Sequence, residues 1–162
     1  MEHVVIGIDP GTSCGWSVLD TDRGQRCLGC GTWDLKPRRH EGGGMRYLRF
    51  RQNLKALVVG SWSVKAVFYE EVRRHMGVDA AHVYGGIVGA LGQLCEELAI
   101  PYQGITVQAV KRQATGHGGG KLTGKELVLA AARRKFPGLE IPDDNAADAI
   151  WVAIAGLREI GL

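Results

Sequence analysis

The 162-residue sequence has no long uninterrupted apolar run. Glycine, proline or charged residues break every apolar stretch well before the roughly 20 residues that a bilayer span needs. The N-terminus lacks the basic region and apolar core of a secretory signal, and the chain contains neither internal repeats nor long low-complexity tracts. We therefore expect a soluble, cytoplasmic protein.

Cysteine is also scarce, since four cysteines in a chain without a secretory signal do not make a convincing disulfide framework. Only Cys27 and Cys30 have the spacing of a zinc knuckle, and no second close pair completes a set of four ligands. If their segment is a strand, residues three apart point to opposite faces. We therefore do not expect these two cysteines to share a metal ion.

A strong excess of one charge sign is missing as well, because the net charge is only +3 and the isoelectric point is near 8.7. Composition alone therefore does not indicate a nucleic-acid partner. The basic residues are nevertheless clustered, in the segments 38–55, 73–75 and 111–125. Most such runs are solvated faces. Here they flank the acidic residues described below, which favours contacts with phosphate groups.

The apolar pattern predicts one mixed α/β domain over residues 1–162, with a central sheet covered by helices. Strands are predicted at residues 4–8, 16–20, 26–35, 66–70 and 102–107, with a hairpin turn over 20–24. Helices are predicted at residues 47–58 and 80–98, from Thr123 to Lys135, and from Asp143 or Asp144 to about Glu159. The second helix is rich in glycine, so we expect another helix, in the fold or in a second subunit, to approach it closely.

Three acidic residues stand where buried strands and a helix are predicted. Asp9 follows the first strand and precedes a glycine-rich turn, Glu70 ends another apolar run, and Asp148 is the only charged residue between Asp144 and Arg158. Ionised carboxylates are almost never buried unless they are paired or bound to a metal. The pattern therefore predicts a shared cation site.

Each acidic residue also has a structural alternative. Asp9 could accept hydrogen bonds from the amides of the turn that follows it. Glu70 could form an ion pair with one of the arginines after it. Asp143 and Asp144 precede the last helix, and aspartate is a favoured residue for capping a helix, so at least one of them is expected to be structural.

Four motifs follow one another at spacings that suit a known family. They are Gly7-Ile8-Asp9-Pro10-Gly11-Thr12 with Gly15-Trp16-Ser17-Val18, then Tyr69-Glu70-Glu71-Val72, then Lys111 and Lys125 in a basic region, and finally Asn145-Ala146-Ala147-Asp148-Ala149-Ile150. This order resembles that of RuvC-type Holliday junction resolvases over nearly the whole chain. The resemblance implies an RNase H-like fold with a mixed five-stranded sheet, and a homodimer. It also implies cleavage of four-way DNA junctions that depends on Mg²⁺ or Mn²⁺, with two ions per active site.

Site residues follow from the resemblance and from charge. Carried over by motif, Asp9, Glu70 and Asp148 become metal ligands. Asp144 is assigned as a fourth ligand because a pair of divalent cations brings about four positive charges, whereas Asn145 is neutral. Lys125 is expected to act in catalysis, and the residues expected to contact nucleic acid are Lys111, Arg112, Lys121, Lys125, Arg73, Arg74 and His117.

Three departures distinguish the chain from well-known bacterial members of the family. Asn145 stands where those members have an acidic residue, Arg73 stands where they can carry an aromatic wedge, and the glycine cluster at residues 116–120 is longer. These differences make the chain similar to the compact resolvases of bacteriophages. We therefore expect a protein of the bacterial cytoplasm that is either cellular or encoded by a phage.

Rival functions remain. A RuvC-like ribonuclease acting on structured RNA, or a catalytically inactive junction-binding module, would fit much of the same pattern. Actin-like ATPases share the first motif but close two such domains around ATP, and this chain supplies one. Residues 119–126 nearly match a phosphate-binding P-loop, but Glu126 stands where serine or threonine should bind magnesium. We therefore reject nucleotide hydrolysis.

Overall fold

The computed structural model of the protein describes residues 1–21, 26–120 and 124–162. The strands in these ranges are β1 (His3–Asp9), β2 (Ser13–Asp20), β3 (Cys27–Asp34), β4 (Ser63–Glu71) and β5 (Tyr102–Thr106). The helices are α1 (Gly44–Val58), α2 (Val78–Glu97), α3 (Val107–Thr115), α4 (Lys125–Lys135) and α5 (Asp144–Glu159). No helix within these ranges is both long and apolar enough to span a membrane.

The five strands form one mixed sheet in the order β3-β2-β1-β4-β5. β1 pairs antiparallel with β2 and parallel with β4, and β5 is parallel to β4. Residues 4–8 of the central strand β1 are buried, as their uninterrupted apolar run predicted. Because β1 and β4 are parallel, Asp9 and Glu70 lie at the same edge of the sheet.

Helices cover both faces of the sheet. α3, α4 and α5 pack with Phe68 of β4 in one hydrophobic cluster, and α1 and α2 pack against Ile6 of β1 in the other. α5 is buried almost all round, from Ala146 to Leu157, because the sheet lies on one side of it and α3 and α4 lie on the other. This architecture confirms the mixed α/β sheet with flanking helices that the sequence predicted.

Two glycines let α5 lie directly on the sheet. A Cβ atom on Gly7 would lie 2.1 Å from the Ala149 carbonyl oxygen, and one on Gly15 would lie 1.9 Å from the Asn145 carbonyl oxygen. The Ser17 hydroxyl donates a hydrogen bond of 2.9 Å to the same Ala149 carbonyl. Gly15 is the β2 partner of Asp9. The start of α5 is therefore held directly beside Asp9.

Helix α3 was not predicted from the sequence. β5 ends at Thr106, one residue earlier than expected, because the Thr106 side chain accepts a hydrogen bond from the Ala109 amide and caps α3. Gly116 ends the helix with a left-handed φ of 80°. The helix spans only nine residues, too few for its apolar positions to stand out as a periodic pattern in the sequence. Thr106 and Gly116 are the signals that could have revealed it.

Two smaller predictions concern residues near or inside the gaps. α4 begins at Lys125 with Gly124 as its N-cap, whereas Thr123, the expected start, lies outside the described residues. The predicted hairpin turn over residues 20–24 also lies mostly outside them.

The expected orientation of Cys27 and Cys30 is wrong. Leu19 pairs with Cys27 whereas Val18 pairs with Gly29, so β3 has one extra residue and forms a bulge. The bulge puts both cysteines on the same face, against the cluster that contains α5. The side-chain hydrogen bond with Cys30, followed by burial, raises the pKa of the Cys27 thiol. Among the described residues, no group of three histidine, cysteine or acidic side chains is placed to hold a metal ion.

Candidate active site

The fold brings four carboxylates to one edge of the sheet. Asp9 ends β1 and Glu70 lies near the end of β4, while Asp144 and Asp148 are one turn apart at the start of α5. Side chains alternate along a strand, so Asp9 points to the same face as Gly7, against which α5 packs. The predicted cluster of Asp9, Glu70, Asp144 and Asp148 is therefore assembled from three elements that are far apart in the sequence.

Burial and mutual repulsion govern the acidity of this cluster. Burial raises the pKa of Asp9 well above its usual range, and the charges of Glu70, Asp148 and Asp144 raise it further. Burial, followed by Glu70 and Asp144, raises the pKa of Asp148 from 3.8 to about 7. Burial also raises the pKa of Glu70. The carboxyl groups of the cluster are thus weaker acids than usual, and their full ionisation needs a compensating positive charge.

Two lysines supply part of that charge. Lys125 Nζ lies 3.6 Å from Asp144 Oδ2, although its side chain is 85% exposed. Lys111 counteracts the rise in the pKa of Glu70. Both lysines line an open cavity of about 360 Å³ together with Glu70 and Asp148. A phosphate group entering this cavity would meet carboxylates and ammonium groups side by side.

The structural alternatives for Asp143 and Glu70 have different outcomes. Asp143 is the N-cap of α5, and its Oδ1 accepts hydrogen bonds from the Ala146 amide at 2.9 Å and from the Thr32 hydroxyl at 2.6 Å. Arg73 forms its ion pair with Glu71, at 3.5 Å, and not with Glu70. Asp143 is therefore structural, and Glu70 remains available to the cluster.

The remaining basic residues lie around the cluster rather than in it. Arg73 and Arg74 are exposed directly after β4 and line a cavity of about 490 Å³ with the start of α3. Arg112 is exposed near the end of α3. His117 lines a separate cavity with Leu127 and is not brought to the carboxylates. Lys121 lies outside the described residues.

The donor set suits hard divalent cations. Within the described ranges, no three histidine, cysteine or acidic side chains converge closely enough to form a ready-made metal site. Carboxylate oxygens are nevertheless the ligands that Mg²⁺ and Mn²⁺ prefer. Bound cations would also offset the repulsion that raises the pKa of Asp9 and Asp148. The residues therefore fit these cations in chemistry, without a preformed coordination geometry.

Sequence reasoning missed Tyr84, which positions the end of β4. Its hydroxyl donates to the Glu70 carbonyl at 2.9 Å and accepts from the Val72 amide at 3.0 Å. Tyr84 therefore fixes the backbone that carries Glu70. A tyrosine at a helical position carries no sequence signal for such a contact, because its partners lie on another element.

Comparisons with known proteins agree with this arrangement. No protein-family model and no curated protein sequence matches the chain. Among solved structures, Thermus thermophilus RuvC in complex with a Holliday junction substrate is 26% identical, with a TM-score of 0.78 over 94% of this chain and 91% of that chain. A second Thermus thermophilus RuvC structure is 24% identical, with a TM-score of 0.72 over 97% of this chain and 95% of that one.

Both similar structures span nearly the whole length of the chain and of the RuvC chains themselves. The element order and the central mixed sheet correspond to the RNase H-like architecture that the motifs predicted. The predicted resemblance to RuvC-type Holliday junction resolvases is therefore confirmed, and the chain has the RuvC-type, RNase H-like fold.

Proposed function

We propose that the protein is a metal-dependent, structure-selective DNA endonuclease that resolves four-way junctions by paired phosphodiester hydrolysis. The observation that carries this proposal is the convergence of Asp9, Glu70, Asp144 and Asp148 at one sheet edge, with Lys111 and Lys125 beside them. The similarity to a RuvC chain bound to a Holliday junction supports the same substrate class.

The four carboxylates would hold two Mg²⁺ or Mn²⁺ ions. Such ions, when bound, activate a water molecule and stabilise the leaving oxygen of a phosphodiester. The chain itself contributes the fixed placement of the ligands, because Asp9 ends β1, Glu70 lies one residue before the end of β4, and α5 is held against both strands. Lys125 would bind the reacting phosphate, and Lys111 would neutralise charge near Glu70.

Basic residues around the cavity would bind the phosphates of the junction arms. We assign this role to Arg73, Arg74 and Arg112, and a weaker one to the exposed His117. The sequence predicts the same role for Lys121, which lies outside the described residues. Contacts of this kind add affinity without sequence preference, and they weaken as salt rises. Selectivity for a branched substrate therefore has to come from the shape of the whole assembly.

The protein is expected to act as a homodimer, because two opposed strands of one junction must be cut symmetrically. Tyr47 of α1 packs over Gly86 of α2, which accounts for the close helix approach expected within the fold. Gly85 and Gly89 are exposed, and a Cβ atom on either would meet nothing within 4 Å. This face of α2 is available for a second copy of the chain.

A nicking assay tests the proposed function. The purified chain is incubated with a four-way junction, a linear duplex or structured RNA, in Mg²⁺, Mn²⁺ or EDTA. The expected result is paired, metal-dependent nicks in the junction and little cleavage of the duplex. Preferential cleavage of RNA would instead indicate the ribonuclease. Tight junction binding without cleavage in either metal would indicate the inactive binding module.

A further inference from the structure

A second cavity lies across the sheet edge from the carboxylates. Its volume is about 410 Å³, within the range of roughly 300–1,000 Å³ that is usual for small-ligand pockets. One wall is the turn at residues 10–12, which directly follows Asp9. The others come from the segment after β4 and from helices α1 and α2. A DNA strand whose phosphate reached Asp9 would therefore have its neighbouring nucleotide beside this cavity.

The walls of the cavity suit a flat aromatic ligand. The rings of His75 and Tyr84 lie 4.7 Å apart, with their planes inclined at 47°. The Tyr84 hydroxyl is bonded to the backbone of β4 at Glu70 and Val72, so the ring is held in place. Val83 adds apolar surface. Fixed aromatic rings are the surfaces on which proteins stack unpaired bases.

Polar groups in the cavity define which base would fit. Arg46 of α1 lines it, and the Nε atom of Arg46 is buried with no hydrogen-bond partner among the described residues. A buried donor without a partner is costly, so the unpaired Nε atom of Arg46 calls for an explanation. Asp79, at the start of α2, supplies a carboxylate acceptor to the same cavity.

We propose that this cavity takes up one unstacked guanine of the junction, next to the scissile phosphate. The Arg46 guanidinium offers two donors in a fork, which match the adjacent O6 and N7 acceptors of guanine. The Asp79 carboxylate matches its adjacent N1 and 2-amino donors. Guanine is the only one of the four bases that satisfies both groups in this way. The inference rests on the proposed junction nuclease and adds a preference in sequence to it.

Base analogues test the proposal atom by atom. Junctions are prepared that differ only at the nucleotides flanking the scissile phosphate, with guanine, inosine or 7-deazaguanine. Inosine lacks the 2-amino donor, and 7-deazaguanine lacks the N7 acceptor. At the position that the cavity reads, each analogue is expected to slow single-turnover cleavage by the wild-type chain about tenfold.

Substitutions in the cavity identify which side chain contacts each base atom that an analogue lacks. Arg46→Met should cut the guanine and 7-deazaguanine junctions at the same rate, and Asp79→Ala should no longer distinguish guanine from inosine, because the contacting group is already absent. Arg39→Met removes one positive charge from an exposed connection outside the cavity and should keep both preferences.

A pair of alanine-to-leucine substitutions tests the cavity without changing any charge. Ala80→Leu narrows the cavity from an exposed position on α2, and it should reduce the preference for guanine. Ala56→Leu makes the same change on the exposed side of α1, outside the cavity, and should leave the preference intact. Equal effects of the two leucine variants would overturn the proposal.

Binding separates this inference from the proposed function. Junction affinity is measured in Ca²⁺ with the same three bases, so that it does not depend on cleavage. If the wild type binds guanine junctions about tenfold more tightly but never cleaves, the nuclease proposal fails and the cavity assignment stands. If the wild type cleaves but treats all three bases alike, the cavity assignment is wrong. A chain that binds no junction contradicts both.

Discussion

The acidic residues in and beside the cluster differ in their burial, their charged neighbours and their hydrogen bonds. The pKa of Asp9 is raised well above its usual range, because the carboxyl is enclosed and meets three other acidic residues. The pKa of Asp148 is raised to about 7. Asp143, one residue before α5, instead accepts hydrogen bonds from the Ala146 amide and the Thr32 hydroxyl and so caps the helix. Residues that are adjacent in the sequence can therefore have unrelated functions.

The first prediction compares three asparagine substitutions in this region. Asp148→Asn should abolish cleavage while retaining or tightening junction binding, because it removes a ligand and also reduces repulsion of phosphate. Asp144→Asn should slow cleavage on the order of 100-fold. Asp143→Asn should act much more weakly, since asparagine also caps helices. Single-turnover rates at saturating Mg²⁺ and Mn²⁺ measure all three. If the Asp143→Asn variant were inactive and the Asp144→Asn variant active, Asp143 rather than Asp144 would be the metal ligand.

A second prediction concerns the lysines. Lys111→Ala and Lys125→Ala should slow single-turnover cleavage strongly and leave most of the junction affinity, because both side chains line the cavity that holds Glu70 and Asp148. Arg38→Ala is the control, since Arg38 is exposed in a connection where phosphate contacts are redundant. Native cleavage rates in both lysine variants would show that neither lysine takes part in the reaction.

A third prediction follows from the raised pKa of Asp148. The folded, metal-free chain keeps this carboxyl protonated up to a pH of about 7, whereas the unfolded chain ionises it near 3.8. The folded state therefore binds more protons between these values, and the free energy of unfolding falls as pH rises through them. Asp148→Asn should lose less stability than the wild type between pH 4 and pH 8, by roughly 4 kcal/mol, because the pKa of Asp148 is raised from 3.8 to about 7.

Urea unfolding in EDTA at several pH values measures this difference. Mg²⁺ should restore stability to the wild type at pH 8 more than to Asp148→Asn, because the cations bind the ionised cluster. Parallel pH profiles for the two proteins in EDTA would show that Asp148 keeps an ordinary pKa.

Among the secondary-structure elements, α5 is the one on which the site depends most. It carries two of the four carboxylates, and its backbone lies against Gly7 and Gly15 at distances that no side chain would permit. The indole Nε1 of Trp151 donates to the Val128 carbonyl at 3.2 Å and ties α4 to the other side of the helix. The acidic side chains therefore keep their positions because the helix is held on both sides.

The fourth prediction tests this packing. Gly15→Ala would put a methyl group 1.9 Å from the Asn145 carbonyl oxygen, so α5 has to move away from Asp9. We expect a loss of about 3 kcal/mol in the free energy of unfolding and a strong loss of cleavage. Gly85→Ala, where a Cβ meets nothing within 4 Å, should stabilise α2 by up to about 1 kcal/mol. Unfolding curves of both variants, with cleavage of Gly15→Ala, check the expectation. A Gly15→Ala protein of native stability would contradict it.

At the scale of the whole molecule, the proposed substrate has two strands to cut and therefore needs two active sites. The described part of the chain brings Asp9, Glu70, Asp144 and Asp148 together in one cluster, so paired incision requires a second copy. The exposed glycines of α2 permit a close approach of two helices. The homodimer and the similarity to phage resolvases both stay predictions from the sequence.

The fifth prediction is that the protein sediments as a dimer and that Gly89→Arg converts it to a monomer, because the large charged side chain would project from the exposed face of α2. Gly138→Arg, in an exposed connection on another part of the surface, should remain dimeric. The monomeric variant should keep part of its junction affinity but lose paired cuts. Sedimentation that finds only monomeric wild type, with and without junction DNA, would exclude this interface.

The sequence alone predicted the five strands in their order along the chain and the elements that carry Asp9, Glu70 and Asp148, because buried strands and a buried helix need continuous or periodic apolar residues and any acidic residue among them stands out. It also predicted the capping role for an aspartate before α5, since helix caps depend on near neighbours. These features are local, so they can be read along the chain.

Only the tertiary structure decided what depends on pairing and packing between distant residues. The bulge that turns Cys27 and Cys30 to one face arises from register with β2. The contact of Tyr84 with the end of β4, and the cavity that contains Arg46, require α1 and α2 to be docked on the sheet. Neither register nor docking leaves a periodic pattern in the sequence, because each is set by the fit of surfaces that meet only after folding.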